Sequence, residues 1–66
     1  VLDTHAIAYR VRLLRQQKAL SQEDLAEKAG VSRATVLNME RGRAVHPSTL
    51  RRLAKALGVT PPALTT

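Results

Sequence analysis

Apolar residues recur along the chain at helical spacing in several separate runs. Ile7, Val11 and Leu14 lie on one stripe of a helix that Asp3 or Thr4 can cap and that runs to about Lys18. Leu25, Ala26 and Ala29 form the inner stripe of a second helix, and Val36 and Met39 that of a third. Leu50, Leu53, Ala54 and Leu57 supply a fourth, which Pro47 or Ser48 opens and Gly58 with Val59 closes. Thr60-Pro61-Pro62 can start a last turn, with threonine as cap and proline in the first helical position, and Leu64 can dock that turn on the core. The pattern predicts an all-α fold, a compact bundle of four to five helices. Ala6, Tyr9 and Leu13 fall on a second stripe of the first helix, roughly opposite the core stripe. They form either a contact surface or scattered exposed apolar residues of the kind normal on soluble proteins.

The stretch from Gln22 to Met39 reads as two short helices folded about one glycine. Ser21 can cap the first of them, with Asp24 three residues on returning the bond as an imperfect capping box. Gly30 supplies the left-handed exit, and Ser32 offers a hydroxyl to cap the next helix. Ala26 lies near the crossing point, where a larger side chain would push the helices apart, and Val31 can plug the open end of the turn. Periodicity alone fits an ordinary helical hairpin as well. The combination Gln22, Ala26, Gly30, Val36 and Met39 resembles the helix-turn-helix of the lambda-type repressor and Cro family, also called the xenobiotic-response-element family, and the likeness runs from about Val11 to Leu64. The resemblance implies a lambda-repressor-like DNA-binding domain spanning residues 1–66, with the helix-turn-helix at 22–40. It also places Leu20 in the core and pairs Arg15 with Glu40, tying the first helix to the end of the third.

Composition narrows the partner. Eleven basic residues against five acidic ones give the 66-residue chain a formal charge of +6. Glu23, Asp24, Glu27 and Glu40 lie within the helix-turn-helix, while Arg41, Arg43, Arg51, Arg52 and Lys55 follow without an acid among them, and Arg10, Arg12, Arg15 and Lys18 make a second basic run. This segregation points to a polyanionic partner, since each phosphate contacted releases counterions and adds affinity. Tyr9 is the only aromatic residue, so there is no stacking platform for single strands, and duplex DNA is the expected partner.

With no cysteine, the chain offers no disulfide, thiolate metal site or redox centre. Two distant histidines and no carboxylates clustered at a cleft leave no triad, metal set or acid/base pair, and no glycine loop cradles a phosphate. An enzyme, a metal and a cofactor are therefore not expected. No apolar run approaches the roughly 20 residues that cross a bilayer, and no signal-peptide pattern opens the chain. The expectation is a cytoplasmic, nucleoid-associated protein with no membrane partner.

In a helix-turn-helix the second helix enters the major groove and its early outward residues meet base edges. With Val36, Met39 and Glu40 inward, Arg33, Ala34 and Asn38 face outward as base readers. Arg33 can pair bidentately with guanine and Asn38 with adenine, while Ala34 offers only a methyl contact. Thr35 stands on the flank, toward the backbone. The family resemblance assigns phosphate contacts to Gln22, Ser32, Arg41, Arg43, His46 and Ser48. Gln22 and Ser32 suit that role independently, because helix N-termini attract anions. His46 must be extended before Pro47. The resemblance places a dimer surface around Val59, Pro61, Pro62 and Leu64, with the Tyr9 and Leu13 stripe as alternative. The function expected is a transcriptional regulator, a repressor in the first instance, that binds an inverted-repeat operator as a homodimer. The rival from another class is a protein-interaction domain on the same fold, such as the antitoxin subunit of a toxin-antitoxin pair.

Overall fold

A computed structural model describes residues 3–65. Val1, Leu2 and Thr66, at the two ends of the expected domain span, lie outside the described residues. The chain forms α1 (Thr4–Gln17), α2 (Gln22–Ala29), α3 (Arg33–Glu40), α4 (Pro47–Ala56) and α5 (Pro61–Thr65), with no strand among the described residues.

Each of the first four helices begins on a side-chain cap, which satisfies amide groups that would otherwise lack a partner. The Asp3 carboxylate accepts from the amides of His5 and Ala6. Ser21 and Asp24 complete the reciprocal box: the Asp24 amide donates to Ser21 Oγ at 2.9 Å and the Ser21 amide to Asp24 Oδ2 at 3.0 Å. Aspartate is one methylene shorter than the usual glutamate and still closes the ring. Ser32 Oγ accepts from the Thr35 amide at 3.1 Å. His46, extended before Pro47, caps α4 through Nδ1, which accepts from the Ser48 amide at 3.2 Å.

The exits of α1 to α4 share one device, a bond from the amide just after a left-handed residue back to a carbonyl five residues earlier. Leu20 returns to Arg15, Val31 to Ala26, Arg43 to Asn38 and Val59 to Ala54, at 3.0 to 3.2 Å. Such a loop needs a left-handed residue at its pivot. Glycine supplies it at three exits, but at the first the pivot is Ala19, with φ at 55°.

The core forms where the stripes meet. Ile7, Val11, Leu25, Val36, Leu53, Leu57 and Leu64 are all buried to 1% exposure or less. α2 packs on α3 and α4, α1 on α3 and α5, and α4 on α5. Ala8 and Ala56 are buried as well and widen the stripes expected for α1 and α4, while Leu14, Ala29, Val31, Val45 and Val59 seal the periphery. Leu20 departs from expectation: it is half-buried and outside the core cluster. It sits in the α1 exit loop, where its carbonyl accepts from Arg15 Nη1 at 2.8 Å, so it contributes through backbone rather than side chain. No helix among the described residues is long and apolar enough to cross a membrane.

Candidate nucleic-acid interface

α3 is held by its inner face. Val36 and Met39 are buried in the core, and Glu40 is the one buried charged residue among those described. Arg15 grips its carboxylate, Nε to Oε2 at 2.7 Å and Nη2 to Oε1 at 3.0 Å, and Gln22 Nε2 adds a third donor to Oε1 at 3.3 Å. Arg12 Nη2 donates to the Glu40 backbone carbonyl at 3.0 Å. A guanidinium at a helix C-terminus satisfies an orphan carbonyl and complements the dipole. α1 and the start of α2 therefore fix the depth and rotation of α3 together.

The remaining faces of α3 carry the residues expected to meet DNA. Arg33, Ala34 and Arg41 are exposed, and Asn38 and Thr35 are half-buried. Ala34, Asn38 and Arg41 lie at helical intervals of four and three, so they form one strip, and Arg33 borders it from the first turn. Leu37, one turn on from Arg33 and also half-buried, borders the same strip and was not among the expected residues. Its spacing of four from Arg33 was the available signal.

The flanking residues are organised by the caps. Ser32 Oγ and Thr35 Oγ1 lie 2.8 Å apart while Ser32 Oγ also accepts from the Thr35 amide. Two hydroxyl protons serve one shared bond, so one O–H is left to donate outward. His46 Nδ1 accepts from the Ser48 amide, with Ser48 Oγ at 2.8 Å, so in the neutral ring the proton resides on Nε2 as an outward donor. Gln22 keeps one amide N–H beyond its bond to Glu40. Arg43 is exposed and lies beside Asn38, Nη1 to Oδ1 at 3.3 Å.

Not every cation in the sequence faces outward to a partner. In the basic run on α1, Arg12 and Arg15 serve the end of α3, and Arg10 Nη1 reaches the Leu64 carbonyl at 3.4 Å. On α4, Arg52 Nη1 reaches the Gly30 carbonyl at 3.4 Å. Arginine donates into these carbonyls across the chain, a role that charge counting cannot distinguish from phosphate binding. The expected dimer residues need one correction. Leu64 is fully buried in its own core, so its side chain is not available to a second copy; Val59 and Pro61 are half-buried and Pro62 is exposed. No group of three His, Cys, Asp or Glu that could hold a metal ion occurs among the described residues.

The chain is similar to known proteins over most of its length. A helix-turn-helix family model, HTH_3, matches residues 11–64. An uncharacterized HTH-type transcriptional regulator of Methanothermobacter thermautotrophicus is 44% identical over 50 residues, 73% of this chain and 71% of that one. The crystal structure of the restriction-modification controller protein C.AhdI from Aeromonas hydrophila superposes with a TM-score of 0.87 at 40% identity, covering 92% of this chain and 94% of that one. That of the hypothetical transcription factor NHTF from Neisseria gives 0.90 at 38% identity, covering 96% of this chain and 74% of that one. The chain belongs to the HTH_3 helix-turn-helix family, of the Cro/CI-like, xenobiotic-response-element type, and is a DNA-binding transcriptional regulator.

Proposed function

We propose that this regulator is a repressor, reading a specific duplex operator with α3 in the major groove and acting by occupancy rather than by catalysis. In this reading Arg33, Ala34 and Asn38 meet base edges, while Gln22, Ser32, Thr35, Arg41, Arg43, His46 and Ser48 hold phosphates. The observation that carries it is the arrangement around α3: its acid is turned inward onto Arg15, and its exposed cations stand beside free donors at two capped helix starts. Donors from several elements can then fix register on the backbone while few side chains read sequence. Two base readers at about 1–3 kcal/mol each cannot single out one genomic site, which favours a homodimer on an inverted repeat. A duplex partner places the protein with the nucleoid.

Selection of bound sites from a random duplex pool tests this. The expected result is an enriched inverted repeat, and enrichment of no motif would overturn sequence-specific reading. The second reading, a protein-interaction domain such as an antitoxin, is favoured by one observation, the exposure of Tyr9 (64%) and Leu13 (40%) on the outer face of α1. It predicts that Tyr9→Ser, and not Arg33→Ala, weakens the partner complex.

A further inference from the structure

The α3 exit loop joins two residues that the reading above assigns to different tasks. Gly42 is the left-handed pivot, at φ +85°, and a Cβ there would lie 2.6 Å from His5 Nδ1, so both backbone and surroundings favour glycine. The pivot folds Arg43 back over the last turn of α3, where its amide donates to the Asn38 carbonyl at 3.2 Å. The side chains follow, with Arg43 Nη1 donating to Asn38 Oδ1 at 3.3 Å. A guanidinium has only donors, so the oxygen of the Asn38 amide, not its nitrogen, must face Arg43.

Resting on the base-reading role proposed for Asn38, we infer that Arg43 determines which base Asn38 selects. An amide recognises adenine by accepting from N6 and donating to N7 at once. With Arg43 on Oδ1, one of the oxygen's two lone pairs is taken and a cation stands beside the other, so the approach of the adenine amino group is disfavoured while both N–H donors of the amide stay available. The unit formed by Asn38 and Arg43 is donor-rich and positive. Guanine presents two adjacent acceptors, O6 and N7, in the major groove, and suits such a unit better than adenine does. The loop thereby turns an adenine-reading side chain into part of a guanine-reading pair.

Two measurements on the intact chain test this. In the free protein, Arg43→Ala should shift the side-chain amide resonances of Asn38, while Arg41→Ala, which removes a neighbouring charge, should leave them in place. In site selection, Asn38→Ala should erase preference at one position of each half-site. The unaltered protein should favour guanine over adenine there by on the order of ten-fold. Arg43→Ala should move that preference toward adenine, whereas Arg41→Ala should weaken binding and leave the preferred base unchanged. An Asn38 amide indifferent to Arg43→Ala, adenine preferred by the unaltered protein, or the same base preferred with and without Arg43 would each overturn the inference. If Asn38→Ala changed no position, the base-reading role itself would fail and take the inference with it. Absence of any selected motif would mark failure of the operator reading as a whole.

Discussion

Arg15 and Glu40 lie 25 residues apart in sequence and meet as a two-pronged pair, with side chains only 13% and 5% exposed. Removing one partner from such a pair costs more than replacing both, because the survivor stays desolvated. Glu40→Ala strands the Arg15 guanidinium with the Leu20 carbonyl as its remaining acceptor and should cost about 3 kcal/mol in urea unfolding. The double variant Arg15→Met/Glu40→Met should recover a good part of that loss. Strictly additive losses would show that the two residues are not coupled.

Ala19 offers a gain rather than a loss. It holds the left-handed pivot of the α1 exit at φ 55°, a conformation that costs a residue with a Cβ about 1–2 kcal/mol. Ala19→Gly relieves that strain and gives back part of the benefit as unfolded-state entropy, for a net stabilisation of about 0.5–1 kcal/mol. Gly58→Ala, at the matching pivot of α4 with φ +73°, should move the melting midpoint the opposite way. A lowered midpoint for Ala19→Gly would refute the assignment of strain.

Asp24 gives the stability a dependence on acid. The backbone bond from Ser21 and then the bond to its hydroxyl hold the Asp24 carboxyl below the ordinary carboxylate value. A group whose pKa is depressed on folding contributes its stability fully above the unfolded value and loses it as pH falls through the folded one. Asp24→Asn should therefore lower stability at pH 7 and flatten the loss on acidification below about pH 4. Parallel acid titrations of the two proteins, followed by helical circular dichroism, would expose an error as curves of identical shape.

Helix positions were legible because caps and stops are local: Asp3, Ser21, Gly30, Ser32 and Pro47 each act within a turn of their own position. The α1 exit was harder to read, since Ala19 carries no glycine signal and its conformation is imposed by the bonds around it. The roles of the arginines were hidden for another reason. Arg10, Arg12 and Arg52 donate to carbonyls 22 to 54 residues away, and the same side chain on a helix surface looks identical in sequence whether it meets a phosphate or a helix end. The pairing of Arg15 with Glu40 came from family likeness, because helical periodicity places both at the edge of a stripe without saying that the edges meet. Leu64 was legible as a core residue, and that burial is what removes it from the dimer surface.

The division of labour proposed for the cations separates by salt and by sequence. Arg41, at the end of α3, is assigned to a phosphate, and Arg33, at its start, to a base. Arg41→Ala should weaken binding to every duplex alike and reduce the slope of log affinity against log salt by about one. Arg33→Ala should cost about 1–3 kcal/mol on the selected site and relax preference at one base. Fluorescence anisotropy on selected and scrambled duplexes at several salt concentrations measures both. Equal effects on the two duplexes for both variants would remove the distinction.

The operator's form follows from how little one α3 reads. Two copies related by a two-fold axis would set their recognition helices about 34 Å apart, matching half-sites one turn of duplex apart. What remains for a dimer contact is small. With Leu64 buried, the C-terminal surface reduces to exposed Pro62 and half-buried Val59 and Pro61, against Tyr9 and Leu13 on α1. A patch of that size gives weak association in solution, so pairing should be completed on the operator and appear as cooperativity between half-sites. Footprinting should show both half-sites protected over one narrow range of protein concentration. Pro62→Asp and Tyr9→Asp then discriminate the surfaces, since the charge that lies in the contact should separate the two protections while leaving affinity for an isolated half-site unchanged. Tight occupation of one asymmetric half-site by a monomer at physiological salt would contradict the inverted repeat.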